Sequence, residues 1–381
     1  MSSAPSSWNA VIASSAVMSL ALLGDALLYA VLPIHAAAFG ISIAWVGILL
    51  SANRLIRVFV YGWIARLSFQ LGARRLCLIA VMGAVVSTGM YGLAEGEWWL
   101  LVARGLWGLS YAALVLVTLA YAVNDRKRVG ARVGWSRAIQ RVGPILALVV
   151  GASAVAWIGP REIFVWLAVL TLFALPAAMS LPTTTGETET EGRAARISKP
   201  SALDLMFALQ GAGVDGVFAI SVTLLLAQSM PTEAALALGG TLLAMRHVGE
   251  AVASPIFGVL ADRYGARKIF VASLILTAIG FAMVAIGMTV VGAIVLLTFR
   301  GALAVLGPAL IVQTADENRS VMGDLANMQA WRDLGAAIGP AATGFALAAV
   351  SAEWLHGLVA VLIVLWLVAW RHPWARASSG N

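Results

Sequence analysis

Two arginines lie three residues apart in an otherwise apolar stretch, "SANRLIRVFVYGWIA", at residues 51–65. This spacing puts Arg54 and Arg57 on one face of a helix. A charge near the centre of a bilayer costs between about 3 and more than 10 kcal/mol, so such side chains face a protein interior or a water-filled cavity. Guanidinium groups in that setting bind carboxylates and phosphates through paired hydrogen bonds. We therefore predict that both arginines bind an anion.

Ten further ionisable residues lie deep within apolar segments. Six are arginines: Arg104, Arg137, Arg141, Arg246, Arg300 and Arg332. Four are carboxylates: Asp25, Asp215, Glu250 and Asp333. All eight arginines are predicted to contact the ligand, and their excess over the carboxylates favours an anionic or polycarboxylate-like one. A buried carboxyl group can carry a proton, and the first choice among the four is Asp25 at about midspan.

Structural pairing is the alternative role for several of these charges. The two arginines of the opening stretch could pair with Asp25. Arg246 could pair with Glu250, four residues later on the same helix face. Arg141 lies towards one end of its segment and could extend its guanidinium to the membrane surface instead.

The composition is that of an integral membrane protein. Hydrophobic residues make up 61% of the 381 residues, charged residues 11%, and the mean hydropathy is +0.91. Apolar runs without strand-like alternation predict membrane-spanning α-helices and an all-α fold. The twelve predicted spans are 9–34, 42–65, 74–94, 97–123, 130–156, 162–181, 202–228, 234–261, 267–287, 290–315, 320–349 and 353–371.

The other basic residues, which lie at or beyond the ends of these spans, are almost entirely at one set of helix ends. Arg161 alone lies at the opposite ends, against sixteen others. The sixteen are Arg66, Arg74, Arg75, Arg126, Lys127, Arg128, Arg132, Arg193, Arg196, Lys199, Arg263, Arg267, Lys268, Arg319, Arg371 and Arg376. Because cytoplasmic loops retain positive charge, both termini are predicted to be cytoplasmic in an inner (cell) membrane. The same bias accounts for the net charge of +7 without a nucleic-acid partner.

The chain divides into two related halves. Residues 183–201 form one long polar stretch, which predicts a cytoplasmic linker between six-helix bundles at 1–182 and 202–381. A shift of 193 aligns "QLGARRLCL" with "RYGARKIFV", and a shift of 196 aligns Arg104 with Arg300 and Trp135 with Trp331. Such a repeat is typical of transporters whose substrate site lies near the midplane between the halves.

The loop "GVLADRYGARK" at 258–268 closely resembles the loop signature of the major facilitator superfamily. The resemblance implies a conformational latch formed by Gly258, Asp262, Arg263, Gly265, Arg267 and Lys268. Asp262 is expected to accept hydrogen bonds from an arginine or from a helix N-terminus. The first-half loop, "ARLSFQLGARR", departs from this pattern with Ala65, Phe69 and Gln70, so its latch is predicted to be degraded.

Two further elements are similar to those of exporters in the superfamily. "RGLWGLSYAA", beginning at Arg104, is similar to the Arg-x-x-x-Gly element that is associated with proton transfer. The Gly-Pro pairs in the fifth and eleventh spans are similar to an element associated with antiporters. These residues are Gly143, Pro144, Gly339 and Pro340. The alternative is that they only bend and pack helices.

The resemblance implies a monomeric secondary active transporter that works by alternating access. We expect proton-coupled export, or antiport, of a small anionic metabolite or siderophore-like compound, with no cofactor and no metal. The alternatives are a multidrug/proton antiporter, an organic-anion importer, an anionic-lipid flippase and a sensor without transport activity. A membrane enzyme is disfavoured because Gly-x-Ser-x-Gly, His-Glu-x-x-His and Cys/His metal spacings are absent from the sequence.

Overall fold

The computed structural model describes residues 7–183, 199–315 and 320–371. In these ranges the chain forms twelve long helices and no strands, which confirms the predicted all-α fold. The helices are α1 Trp8–Val31, α2 Ile43–Leu71, α3 Ala73–Leu93, α4 Glu97–Ala122, α5 Val129–Ile158, α6 Glu162–Met179, α7 Ala202–Ala227, α8 Thr232–Tyr264, α9 Ala266–Ala285, α10 Thr289–Thr314, α11 Val321–Ala346 and α12 Ala352–Arg371. The predicted linker positions 184–198, with Arg193 and Arg196, lie outside the described residues, as do Arg319 and Arg376.

Ten of the helices in the described ranges are long and apolar enough to span a membrane. The other two, α8 and α11, have 33 and 26 residues and are also long enough. They carry more charged side chains, among them Arg246, Glu250, Arg332 and Asp333. These four charges are turned towards the interior of the bundle, so the helices are less apolar on average without exposing the charges to lipid.

Helix packing follows the internal repeat. In the first half, α1 packs on α5, and both α2 and α3 pack on α4. In the second half, α7 packs on α11, and both α8 and α9 pack on α10. The halves meet where α5 packs against α8 and α2 packs against α11.

Two tight turns at equivalent places of the repeat depend on glycine. Gly72 separates α2 from α3 with φ +78°, and Gly265 separates α8 from α9 with φ +91°. L-residues with a side chain rarely adopt such φ values, so glycine allows these helices to reverse direction without strain. Both turns lie at the end of the bundle where α2, α4 and α8 finish, which we call the basic end because its loops carry arginine and lysine.

The halves approach most closely between α5 and α8, near the basic end. A Cβ atom on Gly130 would lie 2.3 Å from the carbonyl oxygen of Gly258, and one on Gly134 would lie 2.5 Å from that of Ser254. These distances are shorter than any ordinary packing contact. Only glycine therefore permits α5 and α8 to close this end of the bundle.

Candidate substrate-binding site

A cavity of about 130 Å³ lies between the two halves and is bordered by nine of the twelve predicted interior charges. Its lining includes Asp25, Tyr29, Arg54, Arg57, Tyr111, Arg141, Leu148, Asp215, Arg246, His247, Arg300, Arg332 and Asp333. The other three interior charges, Arg104, Arg137 and Glu250, are buried and do not border the cavity. A larger groove, of about 710 Å³, lies on the outside of α3 and α4 and has a mainly apolar lining without arginine.

Asp25 is held by Arg104 and not by the arginines of α2. The Arg104 Nη1 atom lies 2.5 Å from Asp25 Oδ1, and Arg104 Nε donates to the Leu49 carbonyl at 2.9 Å. Arg104 also donates to the hydroxyls of Tyr91 and Tyr29, at 3.5 and 3.4 Å. The guanidinium is thus fixed on several sides, whereas Asp25 remains partly exposed to the cavity.

The α2 arginines bridge the two halves. Arg57 Nε lies 2.9 Å from Asp333 Oδ2 on α11, and its guanidinium stacks 4.1 Å from the Tyr111 ring centroid. Arg54 Nη1 donates to the Ala336 carbonyl at 2.8 Å. The alternative pairing of these arginines with Asp25 does not form, because Arg104 takes that carboxylate.

A chain of ion pairs runs from α5 to α7 through Glu250. The two Glu250 oxygens contact Arg141 at 2.9 Å and Arg300 at 2.8 Å. Arg300 in turn lies 3.5 Å from Asp215. Asp215 lies within a π-helical stretch, Gly211–Phe218, a type of helix irregularity that is frequent at functional sites.

Four of the eight interior arginines have no carboxylate partner in the part of the chain that the structure describes. They are Arg54, Arg137, Arg246 and Arg332. The alternative Arg246–Glu250 pair is absent, since the Arg246 Nε atom contacts His247 Nε2 at 3.4 Å instead. Among the described residues the cluster therefore holds eight arginines and four carboxylates, an excess of four positive charges.

The two halves contain equivalent ion pairs. Arg104 on α4 contacts Asp25 on α1, and Arg300 on α10 contacts Asp215 on α7. The repeat relates Arg104 to Arg300, and the two aspartates lie at similar depth in the first helix of each half. The second half adds Glu250, which links its pair to Arg141 of the first half.

The second-half loop is docked onto the start of α5. The carboxylate of Asp262 accepts hydrogen bonds from the backbone N–H groups of Gly130 and Ala131, each at 2.7 Å. A carboxylate at this position is stabilised by the partial positive charge of a helix N-terminus. Arg263, Arg267 and Lys268 are exposed, and Arg267 lies over the ring of Trp370.

The glycines of the Gly-Pro elements lie where helices almost touch. A Cβ atom on Gly143 would lie 1.9 Å from the Ser19 carbonyl oxygen on α1, and one on Gly339 would lie 2.7 Å from Ala212 Cα on α7. Pro144 borders the cavity. These elements therefore pack helices tightly, and a role in antiport stays a prediction.

Three tyrosines that contact the interior charges were not predicted from the sequence. The Tyr61 hydroxyl donates to Asp333 at 3.0 Å, Tyr111 stacks on Arg57, and Tyr91 contacts Arg104. Tyr61 lies four residues after Arg57 and so shares its helix face, which was a usable signal. The positions of Tyr91 and Tyr111 gave no comparable indication.

A membrane-spanning bundle with a polar site between two related halves is the architecture of many secondary transporters. The family model of the Major Facilitator Superfamily matches residues 15–232 and 204–379. The chain belongs to that superfamily and is a multi-pass membrane transporter. Among curated proteins, no relative matches the chain.

Solved structures share this fold. The human organic anion transporter MFSD10 (TETRAN) has a TM-score of 0.72 at 17% identity, over 94% of this chain and 98% of the other. A fucose:proton symporter of E. coli, FucP, has a TM-score of 0.76 at 12% identity, over 96% and 98% of the two chains. The proton:xylose symporter XylE, bound to 6-bromo-6-deoxy-D-glucose, has a TM-score of 0.73 at 13% identity, over 95% of each chain. At these identities the likeness shows a common fold.

Proposed function

We propose that this transporter exports a small anionic compound in exchange for protons. The observation that carries the proposal is the excess of arginine over carboxylate around the cavity. A multidrug site for lipophilic cations needs apolar and acidic walls, and six arginines border this cavity instead. The structural relative MFSD10 is described as an organic anion transporter, which agrees with the proposed substrate class.

The charge balance favours a substrate with two negative groups. Among the described residues, three of the four interior arginines without a carboxylate partner border the cavity: Arg54, Arg246 and Arg332. Uncompensated charges that are shielded from water are costly, so a ligand that neutralises more of them binds better. The cavity volume of about 130 Å³ suits a small molecule, such as a short dicarboxylate.

Asp25 is the proposed proton carrier. It borders the cavity, and one arginine, Arg104, holds it. Glu250 is more deeply buried, is held by two arginines and does not border the cavity. Protonation of Asp25 would release Arg104 and change the charge of the cavity wall, so that proton and anion occupancy become linked.

We further propose how the transporter is oriented in the membrane, how its halves are joined and how it is gated. With the basic end in the cytoplasm, both termini are cytoplasmic and the membrane is the cell (inner) membrane. The 183–201 linker joins bundles at 1–182 and 202–381, and the protein acts as a monomer. Docking of Asp262 on α5 holds the basic end shut, and its release opens that end.

The proposal is tested by proton flux in vesicles that contain the purified protein and a pH-sensitive dye. Short dicarboxylates, phosphorylated metabolites and lipophilic cations are added in turn. Anions should drive proton movement in the wild type, and Asp25→Asn and Arg54→Gln should abolish it. Arg161→Gln is the control, because Arg161 pairs with Glu95 away from the cavity.

Two results would contradict the proposal. Proton movement with lipophilic cations alone would indicate a multidrug antiporter. Anion uptake that persists in Asp25→Asn with full proton coupling would remove Asp25 from the mechanism. An organic-anion importer would show the same anion dependence with the opposite preferred direction.

A further inference from the structure

Asp215 is the most loosely held of the four interior carboxylates. Its ion-pair contact, with Arg300, is 3.5 Å long, whereas each of the other three carboxylates has an arginine contact of 2.9 Å or less. A separation of 3.5 Å is too long for a well-formed N–H···O hydrogen bond. The Asp215 side chain is 10% exposed and borders the cavity between the halves. This carboxylate therefore lies among cations without being fixed to one of them.

The charge of Asp215 acts on four arginines at once. They are Arg300, Arg54, Arg332 and Arg246. Among the described residues, all of them except Arg300 lack a carboxylate within ion-pair distance. A negative group at this place offsets the positive charge of the cavity wall, as the carboxylate of a bound substrate would. Asp215 thus takes the electrostatic role of an anionic ligand in this structure.

A second, smaller cavity of about 10 Å³ also borders Asp215. Arg300 and Arg332 border both cavities, whereas Arg54 and Arg246 border only the larger one. A volume of this size holds about one water molecule, so it has room for one carboxylate oxygen. A rotation of the Asp215 side chain can therefore turn an oxygen from the larger cavity into the smaller one.

The smaller cavity is also bordered by an unpaired amide, that of Gln210. Gln210 is 6% exposed, and its side chain has no hydrogen-bond partner among the described residues. A buried amide without a partner is unfavourable, so an acceptor that reaches it is stabilised. Gln210 directly precedes the π-helical stretch Gly211–Phe218, whose wider turn brings residues five apart towards the same side. Asp215 lies five residues after Gln210, and both face the smaller cavity.

We propose that Asp215 is a displaceable counter-anion of the substrate site, which turns towards Gln210 when a substrate carboxylate binds. This inference rests on the anion-binding function proposed above. The incoming carboxylate takes over Arg54 and Arg246, which border only the larger cavity. The displaced Asp215 accepts a hydrogen bond from the Gln210 amide.

The displacement makes the site selective for anions. A neutral molecule cannot replace the charge of Asp215 beside Arg54 and Arg246, so it does not turn this side chain. Gln210 is then a positioning residue, because it acts on the substrate through Asp215 and does not border the larger cavity itself.

The test is a calorimetric titration of butanedioate into the purified full-length protein. In Gln210→Leu the displaced carboxylate has no donor, so the Kd should rise about tenfold, a typical size for coupling between two sites. Gln210 is uncharged and lies outside the larger cavity, so an Asp215 that stays in place predicts no change. Replacement of an unpaired buried amide by an apolar side chain of similar size should leave the fold intact.

Asp215→Asn provides a second background for the same titration. Without the competing carboxylate, the Kd for butanedioate should fall about tenfold. Gln210→Leu added to this variant should have little further effect, since the two side chains act as one unit. Glu95→Gln is the matched control and should leave the Kd unchanged, because Glu95 pairs with Arg161 away from the cavity.

Three results would overturn the inference. They are an unchanged Kd in Gln210→Leu, an equal rise of the Kd when Gln210→Leu is added to Asp215→Asn, and weaker binding by Asp215→Asn alone. The first of these decides the matter even if Asp215→Asn does not fold. Absence of butanedioate binding in the wild type and in Asp215→Asn alike would overturn the proposed function itself, and this inference with it.

Discussion

At the scale of single residues, the interior charges form two groups: those that have an ion-pair partner and those that have none among the described residues. Arg57 has Asp333 and the Tyr111 ring, and Arg104 has Asp25 and a backbone carbonyl. Breaking one member of such a pair leaves an uncompensated charge in a poorly solvated place. Loss of one partner is therefore destabilising, and the pairs determine which arginines are available to a ligand.

Removal of the Asp333 charge should destabilise the protein strongly. In Asp333→Asn, Arg57 stays buried without its ion-pair partner, a change that costs about 3–5 kcal/mol in comparable buried pairs. Tyr61→Phe removes only one hydrogen bond to the same carboxylate and should cost less, about 1.5–3 kcal/mol. Thermal unfolding of the purified protein in detergent measures both. Equal destabilisation by the two variants would contradict the importance of the ion pair.

At the scale of helices, the bounds follow from the sequence because a membrane fixes the length of apolar runs. All twelve predicted spans correspond to helices in the described ranges, with ends that mostly differ by a few residues. The pairing of the charges could not be predicted in the same way. Asp25 is reachable from several helices in principle, and only the packing of α4 against α1 shows that Arg104 holds it.

Closure of the basic end should depend on glycine at position 130. Gly130→Ala puts a methyl group 2.3 Å from the Gly258 carbonyl and 2.8 Å from Asp262 Oδ1, so α5 and α8 must separate. Gly240→Ala is the control, since a Cβ atom there has no neighbour within 4 Å. Distances between spin labels at the basic ends of α5 and α8 should lengthen in Gly130→Ala alone. An unchanged distance would show that this contact does not hold the end shut.

At the scale of the whole molecule, the two halves have the same helix arrangement but differ in the net charge of their interior residues. The equivalent ion pairs on α1 and α4 and on α7 and α10 preserve the repeat. The first half carries five of the eight interior arginines and one interior carboxylate, whereas the second half carries three of each. The asymmetry places a positive surface opposite a balanced one, which is the charge distribution that the proposed anionic substrate requires.

The central claim is that this cavity recognises a small dianion, and direct binding to the purified protein tests it. Butanedioate and its half-amide have nearly the same size but differ by one negative charge. Calorimetric titration should show that butanedioate binds at least about tenfold more tightly, because one more arginine is neutralised. Arg246→Gln should reduce this preference. Equal affinity for the two compounds, or binding only of lipophilic cations, would contradict the claim.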